Sequence, residues 1–241
     1  MTNCSTNVSL RKAARIAGFG YLIIFITGIF SNFFVLERHI VPGNAAITAN
    51  NIMANYSLFR IGILSFIIMV VFDVVLAWAL YVLLKPVNKN LSLLSGWLRL
   101  VNSTIFGIAL YNLFNVLQIL SGAEYLKVFV AGQLHAQVML HLNKFNYTWL
   151  IGLVFFGLHL LLLGYLIFKS GYMPRILGIL LIVASIGYLI DSFANFLLPN
   201  YTNYEDLFLL IVVVPGVIGE LSLTFWLIFK GGKIPEMKEV A

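Results

Sequence analysis

Four ionisable residues sit inside long apolar stretches of this 241-residue chain: Asp73, His159, Asp191 and Glu220. A charged side chain near the centre of a membrane helix costs at least ~2.5–3.5 kcal/mol, so such groups face a bundle interior or a wet cavity. Repeated end markers give their depth. Tyr81-Val-Leu-Leu-Lys85, Tyr165-Leu-Ile-Phe-Lys169 and Trp226-Leu-Ile-Phe-Lys230 each place an aromatic ring one turn before a lysine, the pattern of an interfacial anchor. Asp73 lies 12 residues before its lysine, and His159 and Glu220 lie 10 before theirs. At ~1.5 Å per helical residue all three reach the midplane, roughly 15–18 Å from the inner edge. Asp191, 16 residues beyond Arg175, reaches about 24 Å and the outer half. Tyr188 and Asn195 share its helix face, and Asn32, Asn112 and Asn115 lie at similar outer depth.

Charge balance decides what these residues could do. Arg60 and Arg99 are read here as lying near opposite edges, which leaves the three carboxylates without a basic partner. They are then protonated, cation-bound or wetted. The reading that follows is a protein that handles a proton, cation or small ligand through an intramembrane polar cavity open to the outside. Asp73, His159, Asp191 and Glu220 form the expected site, with Asn32, Asn112, Asn115, Tyr188 and Asn195 lining it. A metal-dependent intramembrane hydrolase is the enzymatic alternative, with Asp73, His159 and Glu220 as the ligands of a metal cation. A structural or accessory membrane subunit is the third reading. The sequence leans away from an enzyme, since neither Gly-x-Ser-x-Gly nor His-Glu-x-x-His occurs. No catalytic residue is assigned, and no cofactor beyond a metal cation is expected.

The elements that must position these residues follow from composition. Apolar residues make up 61% of the chain and charged ones 10%, with a mean hydropathy of +0.98; soluble domains carry about 25% charged residues. A water-soluble globule is excluded, and the net charge of +6 lies beside apolar spans, which speaks against nucleic acid. The single Cys4 excludes a thiolate metal site or a disulfide framework. Six stretches are long enough to cross ~30 Å of hydrocarbon: residues 16–36, 61–84, 93–120, 147–168, 176–198 and 207–229. The fold class expected is all-α, a polytopic six-helix bundle over residues 16–230 with short tails at 1–15 and 231–241.

Sidedness follows from Lys and Arg. With the N-terminus inside, eleven fall on the inner side and only Arg38, Arg60, Lys127 and Lys144 on the outer, so both termini are expected in the cytoplasm. Two outer connections carry amphipathic patterns. Ile52, Met53, Tyr56 and Phe59 mark one within residues 45–59, and Leu126, Val130, Leu134 and Val138 mark the other within residues 124–144. Both are expected to be helices lying in the outer interface or capping the bundle. The lipid bilayer is the expected partner, and assembly into an oligomer is left open.

Several motifs carry a resemblance. They are Arg11-Lys-Ala-Ala-Arg-Ile-Ala-Gly, Asp73-Val-Val-Leu-Ala-Trp-Ala-Leu-Tyr, Gly157-Leu-His-Leu-Leu-Leu-Leu-Gly-Tyr, Tyr172-Met-Pro-Arg-Ile-Leu-Gly and Pro215-Gly-Val-Ile-Gly-Glu. From about Arg11 to Lys230 the chain resembles the prokaryotic membrane family catalogued as domain of unknown function 4386. The resemblance implies a six-span protein in the plasma membrane of a bacterium or archaeon, and implies no activity.

Overall fold

Continuous apolar sequence without strand-like alternation folds here as helix throughout. The computed structural model describes residues 9–234, among which there is no strand. In chain order the helices are α1 (Leu10–Ile29, continued by a wider π-helical stretch Phe30–Leu36), the short α2 (Glu37–His39), α3 (Ala45–Ala54), α4 (Tyr56–Leu84), α5 (Lys89–Ile119), α6 (Ala131–Lys169), α7 (Arg175–Leu197) and α8 (Glu205–Lys230). Among the described residues six helices are long and apolar enough to cross a membrane: α1 with its extension to His39, α4, α5, α6, α7 and α8. Their outward faces carry large apolar side chains such as Ile26, Ile108 and Phe229, all more than half exposed. In water such a belt would be a liability, and in lipid it is the expected surface.

The first expected tail is partly helical, because α1 begins at Leu10. Residues 1–8 and 235–241 of the expected tails lie outside the described residues. The larger correction concerns the outer connection at residues 124–144. It is not a separate interfacial helix: a 3-10 turn over Glu124–Leu126 is followed by α6, which runs unbroken for 39 residues through Lys144 into the span. No glycine or proline interrupts the sequence between Gln133 and Ile151, so nothing stops the helix from propagating. Leu126 and Val138 are buried, Leu134 is half-buried and Val130 is exposed. The other connection does contain a separate helix, α3, which buries Ile52.

The chain divides into two compact units, and several helices contribute to each. The first takes in the described residues up to Leu22, Asp73–Asn102 and Leu153 onward; the second takes in Ile23–Phe72 and Ser103–Gly152. In the first unit α6 and α7 cross backbone to backbone. A Cβ at Gly164 would stand 2.6 Å from the Gly178 carbonyl oxygen, the close approach that small residues permit between membrane helices. Helices α7 and α8 use a similar device. Pro215 lacks the N–H that would bond the Ile211 carbonyl, and that carbonyl faces Gly187, where a Cβ would collide with it. In the second unit Phe106 stacks on Trp149 at 3.6 Å between centroids, and Phe66 and Phe145 pack against the same indole. Ser31, in the π-helical stretch, donates to the Gly62 carbonyl at 2.9 Å.

Candidate functional site

The first unit holds a buried polar cluster built around Arg99, a residue whose sequence position alone suggests the membrane edge. Arg99, only 1% exposed, donates from Nη2 to Asp73 Oδ1 at 2.5 Å. The expectation that no basic side chain lies at midplane depth is therefore overturned. Its cause is a boundary: the third span was begun at residue 93, whereas α5 begins at Lys89. Ten residues at ~1.5 Å carry Arg99 about 15 Å along the helix, level with Asp73. A signal was available. Ser92, Ser95, Arg99 and Asn102 recur at spacings of three and four, and all four are buried; this polar stripe turns inward while the apolar face of α5 meets lipid.

His159 completes the arrangement. Arg99 Nη1 approaches its Nε2 at 3.0 Å, and its Nδ1 lies 2.9 Å from the Ser95 carbonyl oxygen and 3.0 Å from Ser95 Oγ. A guanidinium can only donate, so Nε2 accepts. The ring proton then sits on Nδ1 and donates to the Ser95 carbonyl. This assignment makes α5 provide both neighbours of the ring, one turn apart. Tyr21 and Phe156 flank the guanidinium, with ring centroids 5.2 and 5.5 Å from its carbon, at distances where an aromatic face attracts a cation.

Glu220 belongs to the same surroundings but is differently served. It is 8% exposed and lies within electrostatic reach of Arg99 and Asp73. Among the described residues its hydrogen-bonding side chain is Tyr188, which donates to Oε1 at 3.2 Å. The Tyr188 ring meets Phe156 edge-on at 5.2 Å, and the same Phe156 ring flanks the Arg99 guanidinium. Three buried polar atoms on α5 have no hydrogen-bond partner among the described residues: Arg99 Nε and both side-chain polar atoms of Asn102.

The other expected site residues fall elsewhere. Asp191 accepts a 2.6 Å hydrogen bond from Tyr201, to which Asn195 is also bonded. Tyr201 lies between α7 and α8, and burial together with the Asp191 carboxylate raises its hydroxyl pKa above the usual value. Asn112 meets His141 at 3.2 Å, and Asn115 lines a small polar cavity of about 220 Å³ with Gln137 and His141. Asn32 donates to Glu37. Of the nine residues expected to share one cavity, Asp73, His159, Glu220 and Tyr188 gather in the first unit. Asp191 and Asn195 form their own set with Tyr201.

The metal reading also changes. Among the described residues no three His, Cys, Asp or Glu side chains are gathered as a metal site requires. Asp73 and His159 both address Arg99 instead, and a guanidinium between prospective ligands repels a cation.

Six apolar helices and a buried ion pair at midspan define a multi-pass α-helical membrane protein. More particularly, the chain belongs to the family described as "Domain of unknown function (DUF4386)", whose model matches residues 16–231. It is 34% identical over 175 residues to a protein of Archaeoglobus fulgidus named "Uncharacterized protein", an alignment covering 73% of this chain and 86% of that one. No solved structure matches it.

Proposed function

We propose that the protein handles protons within the membrane, with Glu220 as the group that takes up and releases the proton and the Asp73–Arg99 pair as the charge that responds. The observation that carries this reading is unequal service of two buried carboxylates. Asp73 has the guanidinium, whereas Glu220 has a single tyrosine hydroxyl at 3.2 Å. A buried ionised carboxylate without a bonded cation is costly. Protonation of Glu220 removes that cost; deprotonation creates a second claim on Arg99, whose unbonded Nε is free to answer it. Buried polar atoms such as those of Asn102 are natural hosts for internal water, which could connect the cluster to either surface.

A proton suits the site better than a metal ion, because the Glu220 carboxylate alone can hold a proton, whereas Asp73 and His159, the further ligands a metal would need, are engaged with Arg99. The same reading puts the protein in the plasma membrane of a bacterium or archaeon with both termini in the cytoplasm. With Arg99 buried at midspan, the bias that remains is ten basic residues to four, and it supports this together with the archaeal source of the relative.

The test is an infrared titration of the purified protein. A protonated-carboxyl band that disappears with rising pH should be absent from Glu220→Gln and present in Asp73→Asn. If Glu220→Gln leaves the titrating band intact, Glu220 is not the proton carrier. A reporter fused after Ala241 should be active only on the cytoplasmic side.

A further inference from the structure

The second unit carries a groove of about 540 Å³ between α4 and α5. Its two ends differ in chemistry. Arg60, the fifth residue of α4, and Gln118, next to last in α5, stand at one end with Tyr56. Leu64 and Ile67 continue the groove one and two turns along α4, and Phe114 faces them one turn back along α5. Consecutive antiparallel helices bring the start of α4 and the end of α5 to the same level, so the polar residues occupy the membrane boundary and the apolar ones lie deeper. Leu64 and Phe114 are about half exposed, which leaves the groove open to the hydrocarbon.

The geometry points to this groove as a binding site for an anionic phospholipid, with the phosphodiester held by Arg60 and Gln118 and one acyl chain lying along Leu64, Ile67 and Phe114. Charge complementarity identifies the occupant. Arg60 forms no ion pair among the described residues; its guanidinium lies 5.9 Å from the Tyr56 ring centroid, which orients it without neutralising it. A guanidinium fork matches a phosphate in two-point geometry, and the amide of Gln118, which donates one hydrogen to the Tyr125 hydroxyl at 3.2 Å, has its second hydrogen left as a neutral donor. A soluble anion would use the polar end and leave the apolar groove empty. A zwitterionic lipid would fill the groove but offer no net charge to Arg60. An anionic lipid satisfies both ends.

The test uses the full chain in detergent, with phosphatidylglycerol and phosphatidylcholine of identical acyl chains, bound lipid being read by native mass spectrometry. The unaltered protein should retain phosphatidylglycerol preferentially. Arg60→Gln should weaken that retention about five-fold, the factor expected for one basic residue at an anionic surface, and leave phosphatidylcholine unchanged. Leu64→Trp, at an exposed position where folding is not at stake, should weaken both lipids by filling the groove. Lys127→Gln, an exposed cation paired with Glu124, should change neither. The site does not exist if Arg60→Gln and Lys127→Gln act alike, if Leu64→Trp has no effect, or if the unaltered protein does not distinguish the two lipids. Displacement of phosphatidylglycerol by equimolar inorganic phosphate would also overturn the lipid assignment, since it would mark a soluble-anion site.

Discussion

Arg99 and Asp73 meet at 2.5 Å with side-chain exposures of 1% and 4%, and neither carries a stabilising role without the other. Bringing both charges out of water is expensive, and the pair recovers this cost only while it is intact. Replacing one partner leaves an uncompensated buried charge, so Asp73→Ala or Arg99→Ala should each destabilise the protein by ~3–5 kcal/mol. The double variant Asp73→Leu/Arg99→Leu should lose much less than the sum of its single variants. A double-mutant cycle from denaturant unfolding in mild detergent measures the coupling. Additive losses would show that the two residues act independently.

His159 should be locked in one tautomer. With Nε2 accepting from Arg99 and Nδ1 donating to the Ser95 carbonyl, nitrogen NMR of labelled protein should report a protonated Nδ1 and an unprotonated Nε2. His159→Phe leaves the Arg99 Nη1 donor without its acceptor and removes the second bond to the Ser95 carbonyl, which keeps its helical partner, at a cost of ~1–3 kcal/mol for a buried unsatisfied group. A proton found on Nε2 would contradict the arrangement.

The crossing of α6 and α7 sets a steric limit that is independent of charge. A Cβ at Gly164 would approach the Gly178 carbonyl to 2.6 Å, and the obstacle is backbone rather than a flexible side chain. Gly164→Ala should therefore destabilise by ~1–3 kcal/mol through forced separation of the helices. Gly107, with open space around its Cβ position, should accept alanine without loss of stability. Comparison of the two melting temperatures checks the contrast.

The candidate site was only partly legible in the sequence, and particular residues show why. Depth could be counted from the lysine anchors, so the spacing of Lys85, Lys169 and Lys230 puts Asp73, His159 and Glu220 at one level. Arg99 was missed because its depth depended on where α5 begins, and Lys89, Asn90 and Ser92 read as loop until the helix includes them. A few polar residues at a helix start have little effect on hydropathy but displace everything beyond them by ~1.5 Å each. The extension of α6 escaped for the opposite reason. Its interleaved polar residues resembled an interfacial helix, and whether such a segment bends at the membrane surface or continues straight is decided by its neighbours.

What the sequence determined by itself was the class and the inventory. Long apolar runs can satisfy their backbone in lipid only as helices, and the cost of charge in hydrocarbon marks Asp73, His159 and Glu220 before any packing is known. Partnership was decided only by tertiary structure. Arg99 serves Asp73 while Glu220 has Tyr188, and Asp191 turns to Tyr201 beyond the end of its helix. Depth along a helix is a one-dimensional count that a sequence contains. The rotation of one helix against another depends on which small residues allow backbones to touch, as Gly164 does at Gly178 and Gly187 at Ile211, and a hydrogen bond is lost over an error of one ångström.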